Sequence, residues 1–237
     1  MKHLLAFVLL FVSSACQSTP RDADGAAAFD VDTSRKLRVG IVVVDGVYNT
    51  ELTAPMDMFH HTVFHDEVGM QVFLVGPSQE PVTSFEGLRI LPDYGFDEAP
   101  EIDILVVPSA EHSMDTDLKD ARLIDFVRSR GAQAEIVLSL CDGAFVLAAA
   151  GLLDGLEATT FPSDIDALEK AFPAIKLQRE VTFVRHGKFV TSVGGEPSFE
   201  GALYICEALY GAKAARGIAG GLVIDWDLAK LRYVELP

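Results

Sequence analysis

Runs of aliphatic and β-branched residues recur along the chain, with amphipathic stretches between them. Lys36 to Val44 reads KLRVGIVVV, Met70 to Val75 and Ile102 to Val107 (IDILVV) repeat the pattern, and Ile136 to Leu140 is a fourth run. Continuous apolar runs of this length suit strands buried on both faces of a parallel sheet. Between them, Thr53 is expected to cap a helix with Pro55 in its first turn and Met56, Met58, Phe59 and Val63 on its apolar side. Asp117 to Arg130 reads as an amphipathic helix ending at Gly131, and Gly143 to Ala150 as a helix stopped by Gly151. Two hairpins are expected: Pro81 to Leu91 around Glu86-Gly87, and Phe183 with Phe189 flanking His186-Gly187. Ser198 to Tyr210 then forms a long apolar helix. Strand and helix alternating in this way predict an α/β fold, a doubly wound, mostly parallel sheet with helices on both faces.

The N-terminus follows a different pattern. Met1-Lys2-His3 is a short basic start, Leu4 to Val12 is unbroken apolar sequence, and Ser13-Ser14-Ala15-Cys16 follows. A helix needs about 20 apolar residues to cross a bilayer, so this run is too short. It fits the apolar region of a secretory signal with small residues before the cut. Small residues ending on a cysteine resemble a bacterial lipoprotein signal, with Ser13 where leucine is usual. The resemblance implies lipidation at Cys16, and Gln17 rather than aspartate implies sorting to the outer membrane, facing the periplasm. An ordinary signal peptide with an incidental cysteine is the alternative. Two or three acyl chains, at about 0.8 kcal/mol per buried methylene, anchor a protein stably. The organisation expected is a signal peptide over 1–15, a lipidated and flexible polar tether over 16–35, and one domain over 36–237.

Composition narrows the function classes. Of 237 residues, 49% are hydrophobic and 23% charged, which suits a folded domain rather than a disordered chain. The net charge of −16 repels nucleic acid backbones, so no nucleic-acid partner is expected. Cys16, Cys141 and Cys206 have neither metal-ligand spacing nor the look of a disulfide framework. No cofactor is called for.

Cys141 stands immediately after a strand and immediately before a helix. Ligands of open parallel sheets bind beyond the carboxyl ends of the strands. A helix N-terminus there offers free N–H groups and a partial positive charge that favour a thiolate, and Gly143 permits close approach of the chain, as in a nucleophile elbow. A buried structural cysteine is the bland alternative. The segment SLCDGAFVLAAAGLLDGLEATTF (Ser139 to Phe161) closely resembles the nucleophile segment of the ThiJ/PfpI superfamily, whose fold is flavodoxin-like and related to class I glutamine amidotransferases. It is most like the branch of isonitrile hydratases and transcription-regulator domains. DGVYNTELTAPMDMF (Asp45 to Phe59) and TSVGGEPSFEGALYICEALYG (Thr191 to Gly211) resemble the first loop and helix and the glycine-rich turn and last helix of that family. The likeness runs from about Lys36 to Gly220. It implies that Glu51, four residues before the proline, contacts the cysteine, and that the chain forms a homodimer.

Three departures accompany it. Phe161 stands where the family often has histidine, and it cannot shuttle a proton. Ser109-Ala110 replaces a glycine pair whose backbone N–H helps form an oxyanion hole. Asp142 follows the nucleophile where hydratases of this branch have threonine, and its carboxylate should raise the thiol pKa. These changes argue against protease activity. Glu51 and Asp142 are candidate acids, either singly or as a pair sharing a proton. A solvated loop glutamate and a helix-start aspartate are their alternatives. His112 follows the third strand and could stand in for the missing histidine, though a solvated loop histidine is the simpler reading. His61 and His65 are four apart, yet His60, His61 and His65 read as surface or interface groups. Cys206 and Trp226 read as packing.

The function expected is a cysteine-dependent hydratase, lyase or hydrolase acting on a small electrophilic substrate. Cys141 is its nucleophile, Glu51 its acid/base, and backbone N–H groups at Ser109, Ala110 and Gly143 its anion stabilisers. A non-catalytic small-molecule-binding or oxidation-sensing domain is the competing reading.

Overall fold

The computed structural model describes residues 25–65 and 68–237; the signal segment and Cys16 lie outside the described residues. In chain order the strands are β1 (Leu37–Val42), β2 (Met70–Gly76), β3 (Val82–Thr83), β4 (Arg89–Ile90), β5 (Tyr94–Gly95), β6 (Ile104–Val107), β7 (Ile136–Leu140), β8 (Glu157–Ala158), β9 (Lys176–Leu177), β10 (Phe183–His186), β11 (Phe189–Ser192) and β12 (Tyr233–Leu236). The helices are α1 (Asn49–His61), α2 (Ala121–Gln133), α3 (Gly143–Ala149), α4 (Ile165–Ala171), α5 (Ser198–Tyr210) and α6 (Ala212–Gly221). One large sheet has the order β12-β10-β11-β7-β6-β1-β2-β5. Its pairs are parallel except β10 with β11, the hairpin read from the His186-Gly187 turn.

The apolar runs are continuous because both faces of the sheet are covered. Ile104, Val106, Ile136, Leu138 and Leu140 face a core shared with α1, α5 and α6. Leu105, Val107 and Val137, one residue out of step, face a core shared with α2 and α3. Side chains alternate across a strand with period two, so a run lacking polar positions must bury both sides.

Local chemistry moved several boundaries. Helix α1 begins at Asn49, four residues before Thr53, whose hydroxyl donates back to the Asn49 carbonyl (2.8 Å) instead of capping. Pro55 therefore lies inside the helix. The stretch expected as one helix from Asp117 starts as a single turn, Asp117–Lys119, and is then restarted by Asp120. The Asp120 carboxylate accepts from the N–H groups of Arg122 and Leu123, which makes it the true N-cap. Gly131 does not end α2; a Cβ there would lie 2.5 Å from Leu152, so the glycine serves helix packing.

Part of the expected tether is packed rather than free. Ala26 and Ala27 donate their N–H groups to Glu207 and Glu235. Phe29 lies under the Arg185 guanidinium, 3.9 Å from its carbon, and edge-on to Tyr204. Arg185 also donates to the Ala27 and Ala28 carbonyls, the Tyr204 hydroxyl (3.1 Å) and Glu235 (3.1 Å). These contacts lie at the last turns of α5 and the end of β12, at the opposite end of the sheet from Cys141. Trp226 is buried, as read, and its indole N–H donates to Glu207 (2.6 Å). Arg185 and Tyr204 are buried, and removing one member of a buried charged network costs about 3 kcal/mol. Arg185→Ala should lower unfolding free energy by that amount in urea titration, whereas a change under about 0.5 kcal/mol would mean that residues 26–31 add nothing to the fold.

Candidate active site

Cys141 follows β7 directly and has φ of 52°. A non-glycine residue in this left-handed region costs of order 1 kcal/mol and needs its surroundings to hold it. The holding groups are explicit. The Cys141 N–H donates to the Ser192 carbonyl (3.0 Å), and its carbonyl accepts from the Thr160 hydroxyl (3.0 Å). Gly143, next but one, stands so close to β6 that a Cβ would lie 2.1 Å from the Val107 carbonyl oxygen. Gly194, at φ of 80°, would place a Cβ 2.3 Å from that of Cys141. Strand ends β6, β7 and β11 are thereby drawn together around one thiol.

Glu51 projects from the first turn of α1 and is buried. One carboxyl oxygen accepts from the Ser109 N–H (3.0 Å) and the Ser109 hydroxyl (2.6 Å); the other accepts from the Gly195 N–H (3.4 Å). Helix α1 and the turns after β6 and β11 are therefore joined at this acid. The Ser109 hydroxyl also lies near enough to Cys141 to favour its anion, so this one side chain serves both the thiol and Glu51. The Ser109 side chain was not among the chemistry read from the sequence, where only its backbone was considered.

The backbone donors expected at Ser109 and Ala110 are both engaged. Ser109 gives its N–H to Glu51, and Ala110 gives its N–H to the Ser113 hydroxyl (2.8 Å). The N–H that does face the sulfur is that of Asp142, at the start of α3, where Gly143 opens the helix. The thiol is nonetheless held well above its ordinary range. Burial is the main cause, and the charges of Glu51 and Asp142 add to it, while the Ser109 hydroxyl and the Asp142 N–H ease the anion only in part.

The Asp142 carboxyl does not cap α3. It turns to the Thr160 hydroxyl (3.1 Å), and the like charge that bears on it most is Asp164, ahead of the expected Glu51. Burial first, then Asp164, pushes the Asp142 carboxyl up to about 6, against the pull of Thr160. Phe161 is 41% exposed, at the rim. His112 is half-exposed with its ring 3.6 Å from Asp115, and among the described residues it makes no hydrogen bond to Cys141, Glu51 or Asp142. His65 lies against Gly217, and His61 is edge-on to Phe64. Cys206 is wholly buried in α5, as read.

Tyr48, unremarked in the sequence, completes the site. Its N–H donates to the Ser109 carbonyl (3.2 Å), and its ring packs at 4.9 Å on Phe85 from the β3–β4 hairpin. Burial, and after it the charge of Cys141, raises its phenol above the usual range. Only its place inside the Asp45 to Phe59 segment could have signalled it.

The elbow yields a direct test of packing. Gly194→Ala should cost about 1–3 kcal/mol through overpacking, besides backbone strain of about 1 kcal/mol. Gly187 also has positive φ (58°) but open space around it, so Gly187→Ala should show the backbone part alone. Chemical denaturation measures both. Equal losses would mean that Gly194 does not press on Cys141.

Comparison with known proteins agrees with this geometry. The DJ-1/PfpI family profile matches residues 37–208. Isonitrile hydratase of Pseudomonas putida is 34% identical over 180 residues, covering 76% of this chain and 75% of that protein. The HTH-type transcriptional regulator GbdR of Pseudomonas aeruginosa is 26% identical over 138 residues, covering 58% of this chain and only 37% of the regulator. Among solved structures, a ThiJ/PfpI family protein from Pseudomonas syringae superposes with a TM-score of 0.73 at 26% identity, over 91% of this chain and 85% of that one. DJ-1beta of Drosophila melanogaster, at 22% identity, shares the fold with a TM-score of 0.70 over 81% of this chain and 100% of that one. With an elbow cysteine, a buried glutamate beside it and a profile match spanning nearly the whole domain, the chain belongs to the DJ-1/PfpI family.

Proposed function

We propose that the protein is an envelope-anchored, cysteine-dependent enzyme that adds water to a small electrophilic carbon, with an isonitrile as the first substrate to try. The observation that carries this reading is the Ser109 hydroxyl, which donates to Glu51 Oε2 at 2.6 Å and lies beside the Cys141 thiol. A thiol whose ionisation is disfavoured needs an acceptor for its proton as it reacts. Ser109 accepts from the thiol and passes its own proton to Glu51. Sulfur then attacks the terminal carbon of R–NC, and that carbon takes up the proton from Glu51, giving R–N=CH–S on Cys141. Water attacks the same carbon and the C–S bond breaks. One water proton goes to nitrogen and the other to sulfur, so the products are R–NH–CHO and the free thiol. The Asp142 N–H faces the sulfur and favours its developing negative charge.

The competing reading is a non-catalytic domain that binds a small molecule or senses oxidation through Cys141. The observation in its favour is that Cys141 is only 7% exposed. Assay of an alkyl isonitrile separates the two, with formamide as the measured product. The wild type should turn over, Cys141→Ser should not, and Ser109→Ala should lose about tenfold to a hundredfold in kcat, at the lower end of what general acid–base catalysis supplies. Binding without turnover in the wild type would favour the competing reading.

The anchor is part of the same proposal. Among the described residues no helix is long and apolar enough to cross a membrane. Residues 26–31 enter the domain at the end remote from Cys141, which would turn the site away from an anchoring membrane. Metabolic labelling with a fatty acid should mark the wild type and leave Cys16→Ser unmarked; equal labelling of the two would remove the anchor from the account.

A further inference from the structure

The peptide unit that joins Cys141 to Asp142 has two ends with different work. Its N–H belongs to Asp142 and favours negative charge on the Cys141 sulfur. Its carbonyl belongs to Cys141 and accepts from the Thr160 hydroxyl (3.0 Å) and, at longer range, from the Ala144 N–H (3.3 Å). A trans peptide unit is planar, so its C=O and N–H point in opposite directions and turn together. A group that holds the carbonyl therefore aims the N–H. Thr160 is wholly buried, and its neighbour Thr159 fixes it in place. Thr159 gives its N–H to the Thr191 hydroxyl (2.9 Å) and its own hydroxyl to the Gln178 carbonyl (3.0 Å).

A threonine hydroxyl has one proton to donate and two lone pairs with which to accept. Thr160 nonetheless faces two oxygens, the Cys141 carbonyl and Asp142 Oδ1 (3.1 Å). An ionised Asp142 is the stronger acceptor and takes the Thr160 proton, which leaves the carbonyl to Ala144. A protonated Asp142 donates to the Thr160 oxygen instead, and the Thr160 proton stays on the carbonyl. We propose that Thr160 is a positioning residue for the thiol: through the Cys141 carbonyl it aims the Asp142 N–H at sulfur, and it does so while the Asp142 carboxyl carries a proton. The inference goes beyond the hydratase reading and does not depend on it, since a sensing cysteine would be governed in the same way.

The titratable groups whose charge bears on Asp142 or answers to it are Asp164 in the loop after Phe161, Glu51 and Tyr48 at the start of α1, and Cys141 itself. None of these carries positive charge. Burial first, and then Asp164, holds the Asp142 carboxyl up to about 6. Below that pH the line from Asp142 through Thr160 to the Cys141 carbonyl is complete. Above it the line is broken, and the new charge also opposes ionisation of the thiol.

The Cys141 carbonyl-carbon NMR signal and Cys141 alkylation, read peptide by peptide, report the two ends of this peptide unit without any substrate. In the wild type the carbonyl signal should move in the direction of a lost hydrogen bond as pH rises, with the same midpoint as the Asp142 carboxyl carbon. Thr160→Val should remove most of that movement, and Thr160→Ser should keep it. In Asp142→Asn the side-chain amide can donate to Thr160 at every pH, so the carbonyl signal should stay flat. Adding Thr160→Val to Asp142→Asn should still slow alkylation about tenfold, the equivalent of about one unit in thiol pKa. A carbonyl signal that stays still while Asp142 titrates, or alkylation of Asp142→Asn that Thr160→Val leaves unchanged, overturns the proposal. Should Thr160→Val fail to fold, the wild type and Asp142→Asn decide it. Movement that Asp142→Asn abolishes supports the proposal, and movement that persists there overturns it.

Discussion

The site depends on a close approach of backbone to backbone. Cys141 adopts a left-handed conformation that its own side chain disfavours, and it is kept there by contacts that only glycine allows on two sides. Gly143 lets α3 begin against the end of β6, and Gly194 lets the turn after β11 close over the cysteine. Glu51 then ties that turn, the Ser109 turn and α1 together through three hydrogen bonds. A sheet buried on both faces supplies the rigid frame, since the strand ends that meet here can shift only by disturbing both cores.

Much of this was legible in the sequence, for physical reasons. Strands β1, β2, β6 and β7 were readable because burial on both faces leaves few polar positions to confuse the pattern, only Arg38, Gln71 and Ser139. Helix α5 was found to the residue, since Tyr210 is followed by Gly211. Errors gathered where a single side chain decides a boundary. Thr53 has the chemistry of a cap but bonds within the helix, while Asp120 does the capping that the reading gave to no residue. Residues 26–31 were hidden because their partners Arg185, Glu207 and Glu235 lie more than 150 positions away.

The candidate site divides in the same way. Cys141 and Gly143 stood out because strand, turn and helix signals coincide on them, and Glu51 was named through the family resemblance alone. Ser109 was weighed for its backbone, yet its hydroxyl is what meets Glu51 and the thiol. Asp142 was paired with Glu51 from chain proximity to the cysteine; its stronger like-charged neighbour is Asp164, which no spacing rule connects to a cysteine more than 20 positions earlier. The acidic surroundings explain how the site departs from the simple elbow picture. A helix N-terminus alone lowers a thiol pKa, but burial and two nearby acids here outweigh it. In the proposed reaction, reactivity comes from moving the proton when substrate arrives rather than from a standing thiolate.

That claim is tested most directly by titrating the Cys141 thiol itself through its thiolate ultraviolet absorbance, with Cys141→Ser as the blank. The account predicts ionisation above the ordinary thiol range in the wild type and a lower midpoint in Glu51→Gln, where one of the opposing charges is gone. A thiolate already formed at neutral pH, or a midpoint that Glu51→Gln leaves in place, would contradict it.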